Sequence, residues 1–208
     1  MSMTFDAPVV GAAATTTAFV FACGDGAFRR VAETETRLDG HRGVSLSLAT
    51  TGASAISGGD DGRLLEIGDD GVREFATLKG WINAIAVAPE TGLVAAAAGR
   101  RVQIYNSSGA AVAAFDHPST VAALAFDPKG KKVVAAHYNG VSVWMAASAT
   151  ATRKALDWKG SHVGVIWSPC GRFIVTTMQE NAVHGWRIED GADFRMDGYP
   201  MRVKSAAF

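Results

Sequence analysis

A repeat constrains this chain more than any other feature. Val121–Gly130 reads VAALAFDPKG, and the stretch VGVIWSPCG from Val163 puts Trp167 over Phe126, Pro169 over Pro128 and Gly171 over Gly130. Upstream, IAVAPETG from Ile85 sets Val87 and Pro89 on the same two positions, and LSLATTG from Leu46 sets Leu48 there. Downstream, the final VKSAAF sets Phe208 over Trp167. A second landmark keeps step. Ile67, Tyr105, Trp144 and Trp186 each close a short apolar segment, and GDGAFRRV (24–31) stands over GDDGRLLEI (59–67). Both landmarks recur at about 40 residues, a period of stacked supersecondary units. Landmarks in phase through the chain are not a chance match of single glycines.

The chemistry inside each unit is β. Val44, Leu46 and Leu48 alternate with Ser45, Ser47 and Ala49, and Val141 and Val143 flank Ser142, as a pleated strand requires. Three classes of turn recur between these runs. One is Thr50-Thr51-Gly52, Glu90-Thr91-Gly92, Pro128-Lys129-Gly130 and Pro169-Cys170-Gly171; another is Gly24-Asp25-Gly26, Asp60-Asp61-Gly62 and Tyr138-Asn139-Gly140. The third is Gly68-Asp69-Asp70-Gly71, matched by Asn106-Ser107-Ser108-Gly109. Gly, Asn, Asp and Pro punctuate strands because they supply the turn conformations other residues resist. AAVAAF (110–115) has the best helical propensity, but its place after a turn in the repeat predicts a strand. In the second unit the four strands are expected at 44–49, 53–57, 63–67 and 72–76. Four short antiparallel strands per repeat describe a β-propeller blade.

Composition narrows the functional classes. Twenty Lys+Arg balance twenty Asp+Glu, which argues against a broad nucleic-acid or anionic-membrane surface. Apolar residues are 48% and charged ones 19%, so a disordered, solvating chain is not expected. No apolar run reaches the roughly 18 residues of a spanning helix. The N-terminal stretch lacks a basic region and carries Asp6 and Pro8, unlike a signal peptide. Two cysteines, Cys23 and Cys170, cannot build a disulfide scaffold, so a reducing, cytoplasmic setting is expected.

At this point the residues resemble the WD-repeat (Trp-Asp repeat) propeller family, in the degenerate form of bacterial members. The carrying residues are Gly40-His41, Asp116-His117, Ser161-His162, the FDPKG and WSPCG turns, and the blade-ending Trp144 and Trp186. In that family a His before the first strand, a Ser or Thr in the second, an Asp in the next turn and a late Trp form a hydrogen-bonded set. The resemblance therefore implies structural roles for His41, Ser57 and Asp61, with Ile67 in place of the Trp. It implies the same for His117, for His162 with Thr176 or Thr177, and for Trp144 and Trp186, with Asn181 where an Asp would stand. The recurring large residues Phe126, Trp167, Phe208, Tyr105 and Trp144 are expected in the core between blades.

The repeat places blades at about 9–38, 44–78, 82–116, 120–157 and 163–197, with the first strand of a next blade at 203–208. An unpaired inner strand is an exposed-edge liability, so the expectation is a fragment of a seven-bladed ring of roughly 280 residues or more. The remaining blades could then accompany it as a separate fragment.

No Cys-x-x-Cys, His-Glu-x-x-His, Gly-x-Ser-x-Gly, phosphate loop or dinucleotide fingerprint occurs. The acidic turns Asp60-Asp61 and Asp69-Asp70 lack the spacing of a calcium loop. The basic groups Arg29-Arg30, Arg100-Arg101 and Lys129-Gly130-Lys131-Lys132 have no interleaved aromatics and read as a solvated rim. Trp81, at the position of a pre-strand His, and Trp158, in a blade connection, are loop aromatics of the kind that carry interface energy. The functional expectation is a non-enzymatic protein- or peptide-binding scaffold without cofactor, using Trp81, Trp158, Arg100 and Arg101. The alternatives are a metal-binding or hydrolytic site at the central axis, with His and acidic turns converging there, or a self-assembling module.

Overall fold

The computed structural model describes residues 4–148 and 150–208, and every described element is a β-strand. Two compact units divide the chain, one ending at Ile85 and the other beginning at Ala86. The first sheet is β1 (Val9–Ala14), β2 (Phe19–Cys23), β3 (Phe28–Val31) and β4 (Glu35–Leu38); the second is β5 (Ser45–Thr50), β6 (Ala55–Gly59), β7 (Arg63–Gly68) and β8 (Gly71–Thr77). Both are antiparallel meanders in sequence order. The second sheet's strands start and end within two residues of the alternation-based expectation. Val20, Ala22 and Phe28 of the first sheet pack with Ala55, Leu65 and Ile67 of the second in one apolar cluster.

The third sheet comprises β9 (Ile82–Ala88), β10 (Leu93–Ala98), β11 (Arg101–Tyr105) and β12 (Ala111–Asp116). Ala-rich 110–115 is thus strand, because pairing with β11 outweighs helix propensity. A fourth, six-stranded sheet contains β13 (Ala123–Phe126), β14 (Lys132–Met145), β15 (Lys154–Trp167), β16 (Phe173–Met178), β17 (Val183–Arg187) and β18 (Asp193–Met196).

The length of β14 conceals a chain reversal. Five extended residues span about 16 Å, yet His137 Nε2 and Ser142 Oγ are 2.9 Å apart. Asn139 and Gly140 take φ of 68° and 134° between them, the two consecutive positive φ values of a type I′ hairpin turn. The first half of β14 pairs with β13 and the second half with the start of β15. Past a bulge, β15 pairs with β16 instead. The sheet is therefore two four-stranded blades sharing β15. Val134, Val141 and Leu156 of the first meet Ile174 and Trp186 of the second.

Residues 203–208 differ from expectation. They are in no strand, since a strand needs a ladder partner and none pairs with them among the described residues. Phe208 is 64% exposed rather than in the core, while Lys204–Ala206 line one cleft together with Gly164–Ile166 and Val175.

Candidate functional site

Antiparallel order sends the second-to-third-strand turn and the link to the next blade to the same end of each blade. Histidines lock these two segments together. His41, buried, donates from Nδ1 to Asp61 Oδ1 (3.0 Å) and accepts from the Ser57 hydroxyl at Nε2 (2.9 Å). Asp61 also receives the Arg42 backbone N–H (3.0 Å) and Arg63 Nε (2.8 Å). Burial opposes ionisation of Asp61, but these hydrogen bonds outweigh it and hold the carboxyl well below the usual carboxylate range. Burial likewise pushes His41 down against the pull of Asp61, so it stays neutral near pH 7. Buried Ile67 stands where the tryptophan would.

In the later blades a backbone carbonyl takes the place of the Asp. Trp144 Nε1 donates to His117 Nε2 (3.1 Å), so His117 Nδ1 carries the proton and donates to Arg100 O (3.2 Å). Phe115 stacks on Trp144 at 4.5 Å. His162 Nε2 donates to Trp158 O (3.0 Å), and its Nδ1 meets Thr176, not Thr177, at 2.8 Å. Asn181 turns to Pro200 O rather than to His162. Trp186 is buried, its ring 5.5 Å from His162 and edge-on to His184 at 4.6 Å.

In the second unit this end is one hydrogen-bonded rim. His117 N donates to Arg100 O, Tyr138 N to Ser119 Oγ, Gly160 N to Asn139 Oδ1 and Gln179 N to Ser161 O. An open groove of about 550 Å³ lies on it, lined by Tyr138, Asn139, Asp157, Trp158 and Lys159. Tyr138 is 55% exposed. Trp158 is half-buried and stacks at 4.0 Å on His184. His184 is fully buried, 3.3 Å from Asp193 Oδ2, with its pKa pushed down by burial to about 4.

No family model matches the chain. It is 28% identical over 171 residues to the WD repeat-containing protein slp1 of Schizosaccharomyces pombe, covering 74% of this chain. The chain spans about a third of that relative's length (35%). A solved structure of the mitotic checkpoint complex contains a chain with TM-score 0.73 and 21% identity, over 88% of this chain and 64% of that one. The computationally designed Ika8 protein gives TM-score 0.81 at 21% identity, over 96% and 65%. The fold is a β-propeller of four-stranded blades, similar to that of WD-repeat proteins.

The propeller distributes the expected contact residues unevenly. Arg100 and Trp158 lie on the rim of the second unit. Arg100 is exposed in the turn between β10 and β11, with its carbonyl holding His117. Arg101, one residue into β11, is ion-paired across the ladder to Asp116 (3.1 Å). Trp81 belongs to the first unit and is 70% exposed. Sequence reasoning missed Tyr138, Lys159 and His184 as neighbours of Trp158. Tyr138 was legible in principle, as a large ring in a tight Tyr-Asn-Gly turn has little core to enter. His184 was not, since its stacking is a contact across two strands.

Among the described residues no three His, Cys, Asp or Glu side chains converge as a metal site. Both cysteines are free thiols, Cys23 buried and Cys170 exposed.

Proposed function

We propose that this propeller is a non-enzymatic scaffold that binds a protein or peptide at the turn-and-connection end of its blades. The groove beside Trp158 carries the reading. It offers an exposed Tyr138, the free face of Trp158, and Lys159 and Asp157 at its edge. An aromatic anchor on a rigid rim with charges around it is the anatomy of a protein contact. Support comes from the similarity to a WD-repeat protein, and from a structural neighbour solved within a mitotic checkpoint complex. Trp81, Arg100 and Arg101 are assigned to the same binding role. Two free thiols suit a cytoplasmic setting, which fractionation of the tagged chain tests.

Comparative affinity capture tests the proposal. A protein retained by the wild-type chain should be lost from Tyr138→Ala and weakened by Trp81→Ala, both with unchanged Tm. Retention by both variants would overturn the assignment of these surfaces.

A further inference from the structure

The basic segment Lys129–Lys132 lies on the opposite end from the Trp158 groove, in the turn between β13 and β14. The corresponding turns Thr50-Thr51-Gly52 and Glu90-Thr91-Gly92 carry no cation. Nothing in the repeat demands three lysines here, and like charges crowded on one turn repel each other.

The segment forms one wall of a cleft of about 360 Å³, and the Pro169–Gly171 turn forms the other. Lys129, Lys131 and Lys132 line it together with Met145 and Cys170. Asp127, the only carboxylate in the lining, is committed to its own turn: Oδ1 accepts the backbone N–H groups of Lys131 (2.7 Å) and Lys132 (2.6 Å). None of the three ammonium groups is ion-paired among the described residues. Met145, 46% exposed, and Pro128 and Pro169 give the cleft apolar patches beneath those charges.

We propose that this cleft docks an acidic peptide segment bearing an apolar side chain. Carboxylates would meet the lysines, and the apolar side chain would lie on Met145 and the prolines. Unbranched, polarisable Met adapts to such a guest. A single-stranded nucleic acid would need aromatic stacking platforms, and no aromatic ring lines the cleft. This surface is distinct from the Trp158 groove, so either assignment can fail alone.

Cys170 supplies the reporter. Its exposed thiol is brought down to about 7 by hydrogen bonds with Ser168 and Arg172, while Cys23 is buried. The full chain is alkylated with N-ethylmaleimide at neutral pH and low salt. The probe is a blocked pentapeptide of two glutamates, leucine and two glutamates. Saturating peptide should slow Cys170 alkylation by about tenfold, and raised salt should restore the rate. Lys129→Gln/Lys131→Gln/Lys132→Gln should abolish protection. If that triple variant fails to fold, Lys131→Gln alone should weaken it by about threefold, as loss of one surface charge contact. An unchanged alkylation rate with peptide, or full protection of a folded lysine variant, overturns the proposal. Stronger protection by an oligonucleotide of equal charge than by the peptide also overturns it, in favour of nucleic acid.

Discussion

The hydrogen bond between Trp144 and His117 fixes more than a position. An indole N–H only donates, so His117 Nε2 must be unprotonated to receive it at 3.1 Å. Trp144→Phe keeps most of the stacking with Phe115 but leaves that buried nitrogen unpartnered. We expect a loss of about 1–2 kcal/mol in urea unfolding. The same geometry sets the pH response. Burial is the main cause that lowers His117 and His184 to about 4, whereas unfolded histidines titrate near 6.5. Between those values the unfolded chain holds more protons than the folded one, so stability falls as pH falls through that window. The urea midpoint should decline as pH falls from about 6.5 to 4, and decline further below about 4 as Asp61 loses its charge. A midpoint that rises on acidification to pH 5 would refute the neutral, buried histidines. Trp81 and Trp158 separate at this scale too. Trp81→Ala should leave Tm unchanged, while Trp158→Ala should cost about 2–3 kcal/mol by removing the ring stacked on His184.

Turns and pairings govern the single element. The reversal inside β14 depends on Asn139 and Gly140, whose positive φ values few residues accept. A Cβ at Gly140 would stand 2.3 Å from the Leu156 carbonyl oxygen. Gly140→Ala should therefore cost about 2 kcal/mol or more in denaturant unfolding, while Asn139→Gly should cost only about 1 kcal/mol, since αL suits glycine and only the acceptor of the Gly160 N–H is lost. Equal effects of the two would mean the turn is not type I′. The sequence announced this hairpin through Tyr-Asn-Gly, and announced β12 through its repeat position against its alanine propensity. It did not announce that β15 serves two blades, because a strand's length depends on which ladders continue past the irregularity at 158–160. Nor did it announce Phe208 as exposed. The repeat aligned Phe208 with Trp167 by residue type, but burial needs a paired strand around it.

For the molecule as a whole, the period was legible because each blade needs the same turns and the same apolar layers. The histidine networks were legible only as residue types. His41, Ser57 and Asp61 meet as the family pattern implies, as do His117 with Trp144 and His162 with Thr176, but the carbonyls of Arg100 and Trp158 that complete the last two pairs are named by no motif. Partner-binding residues were less legible still, as exposure and grooves arise from neighbouring loops. A repeat architecture also predicts graded stability, since each blade is held by its neighbours and least at its outer strand. Every residue of β18 is exposed, and β4 is exposed at three of its four, whereas β6 is buried throughout and β16 nearly so. In native-state hydrogen exchange, amides of β4 and β18 should lose protection well before those of β6 and β16, in each unit separately. Equal protection of β18 and β16 would mean that the outer strand opens only with global unfolding, and that each blade behaves as one cooperative block down to its edge.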